Sequence, residues 1–276
     1  MPLHLFANRT SCVGFILTFI HGLVNIWAVY FLPVYFQGAL GSSPEYAGIQ
    51  FLPTMLFMFV FVGMGGRLMA KYGRYRPISH VGFALMTLGL GLFSLLDANS
   101  SRAEWVIFQV VEVAGAGLVI PTLLPSVQAE LTDADIALAT STCIFMRSFS
   151  SIWGVVIPAT IFNNRFDQLA GRISDPAIVD QLKGGKAYEH ATKKFLDTLP
   201  SQVRAEVVSV FSDSLERNWQ IATAFAAVGF LIVIGQKEVK LRQVLDTEYG
   251  LEDNQADKAQ NELADEKGTT LRQNAG

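Results

Sequence analysis

The chain has 276 residues, of which 51% are hydrophobic and only 16% charged, with a formal net charge of −3. A soluble domain needs about a quarter of its residues charged to keep its surface wet, so this composition argues against a water-soluble fold. No basic stripe points to nucleic acid as a partner, and the charges that exist concentrate in residues 163–217 and 237–276.

Residues 1–11 (MPLHLFANRTS) lack the charged start, short apolar core and small-residue cleavage site of a signal peptide, and read as a short cytoplasmic N-terminus. A helix needs about 20 mostly apolar residues to cross a hydrocarbon layer of roughly 30 Å. Six segments qualify: 12–36, 46–69, 78–96, 104–127, 136–161 and 219–236. The expected fold is therefore an all-α integral membrane protein, with helices one to five in 12–162 and the sixth in 218–236. Pro33, Pro53, Pro121, Pro125 and Pro158 fall inside spans. A bilayer tolerates this, because neighbouring helices satisfy the backbone groups that proline frees.

Span one carries His21 and Asn25, four residues apart and so on one helix face. Span two runs into a basic connection, Lys71, Arg74 and Arg76 after Arg67, while the connections after spans one and three hold only Arg102 between them. The basic side faces the cytoplasm, which places both termini there. Span three holds one titratable group, His80. Asn99-Ser100-Ser101 is a glycosylation triplet on the opposite side, although Asn8-Arg9-Thr10 matches the same pattern on the cytoplasmic side. Span four carries Gln109 and Glu112, three apart, and span five carries Arg147 near its middle.

Cys12 and Cys143 lie inside apolar stretches and read as packing residues rather than a disulfide, metal site or redox pair. Gly89-x-Gly91 and Gly115-x-Gly117 are not nucleotide loops, since no strand precedes them and they lie within hydrocarbon. Tyr35, Trp105 and Trp219 sit near span ends, where belt anchors are expected. Residues 163–217 read as an extracellular amphipathic loop. Within it, Ser174-Asp175-Pro176 starts a helix, Gly184-Gly185 interrupts it, and Val203, Val207, Val210, Phe211 and Leu215 recur at helical spacing towards span six. Residues 237–276 read as a polar cytoplasmic tail, disordered beyond Gly250.

The connection after span two, Gly65-Gly66-Arg67-Leu68-Met69-Ala70-Lys71-Tyr72-Gly73-Arg74-Tyr75-Arg76-Pro77, resembles the cytoplasmic signature G-x-L-x-D-R-x-G-R-R/K of the major facilitator superfamily. Gly66, Leu68, Lys71, Gly73, Arg74 and Arg76 match it, with one residue of slack at the end. Ala70 replaces the aspartate of the family's first-half copy, which points to the second half. Three further stretches resemble the fungal fourteen-span drug:proton antiporter branch. They are Pro33 to Gln37 with the following Leu40-Gly41-Ser42-Ser43-Pro44, Gly117 to Pro125, and Ile161 to Phe166.

The resemblance implies a six-helix C-terminal half of a major facilitator superfamily bundle, built as a 3+3 inverted repeat. It implies proton-coupled efflux of small, mostly apolar compounds across the plasma or vacuolar membrane, by a multi-pass protein with no cofactor beyond the proton gradient. The implied partners are the lipid bilayer, a small-molecule substrate and a missing N-terminal half-bundle. It further implies that the first and fourth helices of the half line the cavity. The polarity of spans one and four agrees, since buried polar groups in a membrane mark functional paths.

The substrate and proton pathway candidates are His21, Asn25, Gln109, Glu112 and Arg147. Glu112 and Arg147 are open to three readings: a pair released by protonation, a permanent structural ion pair, or two residues that do not meet. The alternative functional class is a non-transporting remnant or regulatory membrane subunit. No catalytic motif or metal-ligand spacing is present to support an enzyme.

Overall fold

A computed structural model describes residues 3–6 and 8–237 of the chain. Beyond Lys237 the expected tail lies outside the described residues. Six long helices dominate: α1 (Arg9–Gly38), α2 (Pro44–Tyr72), α3 (Arg76–Phe93), α4 (Arg102–Gln128), α5 (Asp133–Leu169) and, after three short ones, α9 (Ser201–Ile234). The short helices α6 (Pro176–Leu182), α7 (Ala187–His190) and α8 (Lys193–Leu196) connect α5 to α9, and no strand occurs among the described residues.

Local chemistry sets the helix ends. The Asn8 side chain accepts from the Thr10 N–H at the start of α1, and Ser43 followed by Pro44 opens α2. At α4, Ser101 and Glu104 form a reciprocal capping box. Gly73 stops α2 with φ 61° and ψ 20°, its N–H reaching the Met69 carbonyl. The five expected in-span prolines all lie inside helices.

Five helices, α1, α2, α4, α5 and α9, are long and apolar enough to cross a membrane. The third expected span is the exception. At 18 residues, α3 is about 27 Å long, and its first five residues include Arg76 and His80.

The expected loop 163–217 is also shorter than its sequence suggests, because α5 continues to Leu169 and α9 already begins at Ser201. The reason is mutual burial. Val203, Val207, Val210, Phe211 and Leu215 are all buried, and Phe211 packs on both Phe162 and Phe166 of α5. The expected helix start at Asp175 and the break at Gly184 and Gly185, both at positive φ, are present.

The helices α1 and α4 are the most enclosed, each touching α2, α5 and the other, while α4 also packs on α3 and α1 on α9. Small residues permit the closest approaches. A Cβ on Gly89 would fall 2.5 Å from the Glu112 backbone, and one on Gly115 would fall 2.4 Å from the Gly82 carbonyl oxygen, so α3 and α4 meet almost backbone to backbone.

Tyr35, Trp105 and Trp219 depart from their expected place as belt anchors. All three are buried in the bundle, where Tyr35 donates to the Asp97 carbonyl, Trp105 packs on Phe36, and Trp219 packs on Phe93. Position along a helix does not say which face a ring occupies. The large exposed hydrophobics instead cluster on α2 and α5, including Leu56, Phe59, Ile144 and Ile152.

Candidate functional site

A cavity of about 300 Å³ lies between the first half of α1, the last third of α4 and the first half of α5. Its walls are Ile120, Leu123, Leu124 and Ile144, its polar groups Thr18, Thr140, Cys143 and Ser148, and its one cation Arg147. The side chain of Arg147 is exposed, and its backbone lies against α1 where Gly22 approaches Ser150.

The remaining candidates lie at distinct places around it. His21 is buried and its Nε2 is 3.1 Å from the Ala116 carbonyl oxygen of α4, while its Nδ1 is buried without a hydrogen-bond partner among the described residues. Asn25, one turn further along α1, is half-buried. Gln109 is committed elsewhere: its Oε1 accepts from Thr54 at 2.8 Å, and its Nε2 donates to the carbonyls of Gln50 and Trp105. It ties α2 to α4 with every polar atom engaged.

Glu112 is buried at 2% exposure, its backbone pressed against Gly89 of α3. No hydrogen bond or ion pair among the described residues joins it to Arg147. Of the three readings of this pair, the structure places the two residues apart, Glu112 against α3 and Arg147 at the cavity.

The connection between α2 and α3 works as a clamp on the end of α9. Arg76 Nη2 donates to the Ile234 carbonyl at 2.8 Å, the buried Tyr75 hydroxyl donates to the Lys237 carbonyl at 2.7 Å, and Arg9 Nη2 reaches the Gly235 carbonyl at 3.3 Å. The last carbonyls of a helix lack intrahelical donors and carry its negative dipole end, so cations belong there. Lys237 in turn sits 3.2 Å from Glu130. The Thr10 hydroxyl and the Lys237 ammonium beside it hold the Glu130 carboxyl below the usual range.

Within this connection Gly73 forms the turn and Lys71 lies over the Tyr72 ring, 5.4 Å from its centroid. Leu68 and Arg74 border an apolar groove of about 330 Å³ with Val81. The close approach to α4 is made by Gly65, whose Cβ would fall 2.9 Å from Pro121; Gly66 faces open space.

A model of the Major Facilitator Superfamily matches residues 3–158. The chain belongs to the major facilitator superfamily. It is 50% identical over 260 residues to the MFS-type transporter pydD of an Acremonium species, covering 94% of this chain and 46% of that one. It is likewise 50% identical over 254 residues to the MFS-type transporter gkaD of Penicillium citrinum, covering 92% and 44%. The MFS-type efflux transporter ffsH of Aspergillus flavipes is 41% identical over 257 residues, covering 93% and 45%. The chain thus spans about half the length of the curated relatives it matches.

As a multi-pass member of the superfamily, this chain carries contacts that its sequence did not single out. Tyr75 and Arg9 were unremarkable in the sequence, because their partners are backbone carbonyls more than 160 residues away. Thr54, the partner of Gln109, is 55 residues away and equally hidden. Asn99, the glycosylation candidate, is exposed in the α3–α4 connection, its N–H bonded to Asp97 Oδ1.

Proposed function

We propose that this chain forms the second six-helix half of a proton-driven exporter of small, mostly apolar compounds. The observation that carries the reading is the cavity between α1, α4 and α5, apolar in its walls and lined by one cation, Arg147, without an ion-pair partner among the described residues. Such a cavity suits an apolar solute with one polar group to orient it. Relatives named as efflux transporters support the direction of transport.

A 3+3 inverted repeat, pairing α1–α3 with α4, α5 and α9, is supported by the contacts. Exchanging the two triplets turns α1 on α5 into α4 on α2, and α3 on α4 into α9 on α1; all four contacts are present. On this reading α3 spans with the others, shortened by its basic first turn. The clamp end, with Arg9, Lys71, Arg74 and Arg76, faces the cytoplasm, and the short helices α6–α8 lie outside, in the plasma or vacuolar membrane. Glu112, the one buried carboxylate among the described residues, is the group for a coupled proton, with no cofactor required. The exposed apolar faces of α2 and α5 would receive the partner half-bundle.

The test is export of lipophilic compounds from yeast lacking its own exporters, with this chain expressed alone and together with the complementary half of a relative. Uncoupler-sensitive export by the pair, lost in Glu112→Gln, is expected. No export in either configuration would sink the transport reading, and export indifferent to uncouplers would remove the proton.

A further inference from the structure

At the end of the bundle opposite the clamp, residues of α5 and α9 line a cavity of about 490 Å³. It is unrelated to the cavity of Arg147 and unlike it in chemistry. Its floor is Ile161 and Ile221, and its sides carry Arg165 from α5 with Glu216 and Arg217 from α9.

The charges here are only partly satisfied within the protein. Asp213 on the rim is taken by an ion pair with Arg172. Glu216 accepts from Gln220 at 2.8 Å. The two cavity arginines meet only neutral amides: Arg165 Nη1 donates to Gln168 at 3.1 Å and Arg217 Nη1 to Gln220 at 3.3 Å. The Nε of Arg165 is buried and has no hydrogen-bond partner among the described residues. Two guanidinium groups facing one cavity, without carboxylates of their own, make a site for a group with several acceptor oxygens.

The surroundings say what carries that group. Both helices change character at the cavity floor. Beyond it the exposed positions are polar: Asn164 and Gln168 on α5, and Glu216 and Gln220 on α9. Below Thr160, which marks the boundary on α5, large apolar side chains are exposed: Ile152 and Val156 on α5, and Val228 and Leu231 on α9. A change from apolar to polar at one height on two neighbouring helices marks a membrane–water boundary. The cavity therefore sits at headgroup level, directly above exposed apolar helix surface that acyl chains can cover.

We propose that this cavity binds the headgroup of an aminophospholipid of the adjacent leaflet, its phosphate on Arg165 and Arg217 and its primary ammonium on Glu216. The phosphate supplies charged acceptors to guanidinium ends that otherwise meet only the neutral amides of Gln168 and Gln220, and the ammonium meets the one cavity carboxylate not held by an ion pair among the described residues. A phosphatidylcholine headgroup offers the same phosphate but no N–H, so the site discriminates through Glu216.

Native mass spectrometry of the detergent-purified chain tests this, with phosphatidylethanolamine and phosphatidylcholine titrated in parallel. Phosphoethanolamine and inorganic phosphate serve as soluble competitors. Phosphatidylethanolamine is expected to bind preferentially. The R165Q/R217Q variant, checked for intact helix content by circular dichroism, is expected to bind it at least about tenfold more weakly, the worth of a charge-assisted hydrogen bond. Glu216→Gln is expected to abolish the preference over phosphatidylcholine. Arg204→Gln, whose arginine pairs with Asp197 outside the cavity, leaves binding unchanged.

Undiminished binding by a folded R165Q/R217Q variant overturns the site. Displacement of the lipid by inorganic phosphate at similar concentration overturns the lipid in favour of a free anion. Should the double variant not fold, Glu216→Gln decides alone, and an unchanged lipid preference then rejects the assignment.

Discussion

Replacing Gly89 with alanine places a methyl carbon 2.5 Å from both the Cα and the backbone nitrogen of Glu112. Backbone atoms of a packed helix cannot rotate aside as a side chain can, so α3 and α4 must separate or tilt by most of an ångström to restore contact near 3.5 Å. Overpacking of this kind costs about 1–3 kcal/mol, offset by the gain in helix propensity of alanine over glycine, about 1 kcal/mol. The net expectation is destabilisation by about 0–2 kcal/mol, with the contact at Glu112 loosened.

Two glycines on other surfaces serve as controls. A Cβ on Gly91 would lie 3.7 Å from Thr223, an ordinary contact, and one on Gly63 would meet nothing within 4 Å. Both alanine variants should therefore be neutral or stabilising, since only the propensity gain remains. Thermal unfolding of the purified chain in detergent, followed by tryptophan fluorescence, should rank Gly89→Ala below the native protein and Gly63→Ala at or above it. If Gly89→Ala is as stable as Gly63→Ala, the reasoning from backbone contact between α3 and α4 is wrong.

Thr54→Val leaves the Oε1 of buried Gln109 without its donor and should cost about 1–3 kcal/mol, whereas Thr54→Val with Gln109→Leu should recover part of that loss; double-mutant thermal unfolding measures the coupling. Removing the Arg76 guanidinium in Arg76→Ala strips a donor from the Ile234 carbonyl and should raise hydrogen exchange at the end of α9 without reaching its centre, read by peptide-level mass spectrometry. The Glu130 carboxyl is held low by Thr10 and Lys237, so its contribution is present above the ordinary carboxylate range near pH 4.5 and is lost as pH falls through the depressed value. Thermal stability of Glu130→Gln should accordingly match the native protein at acid pH and fall below it near neutrality, by a small amount because the Lys237 partner is largely solvent-exposed. Arg172→Ala breaks the exposed pair with Asp213 and should change stability by no more than about 1 kcal/mol.

Much of the architecture is legible in the sequence. Hydrophobic runs of about 20 residues can satisfy their backbone only as helices in a membrane, so α1, α2, α4, α5 and the membrane part of α9 followed from composition along the chain. Caps are local, and the signals at Asp175 and Gly184–Gly185 marked real ends for the same reason. The basic connection and its resemblance to the superfamily signature likewise needed only neighbouring residues.

What spacing could not supply was partnership. Gln109 and Glu112 share a helix face by number, yet one ties α2 and α4 together while the other is pressed against α3. The mid-span carboxylate and cation, one on each of two consecutive helices, are not paired, because which face of α4 and α5 turns inward is set by glycine contacts on α3 and α1. Tyr35, Trp105 and Trp219 left the expected belt for the interior on the same ground. The sequence by itself determined that the chain is a set of apolar helices with their capped ends and their basic connection, since those properties depend on residues within a turn or two. Tertiary packing sets the rest: Tyr75, Arg76 and Arg9 close on the end of α9, Arg147 is the one cation lining the cavity between α1, α4 and α5, and Arg165 and Arg217 line one cavity between α5 and α9, because each of these depends on helix rotation and close approach across long separations in the chain.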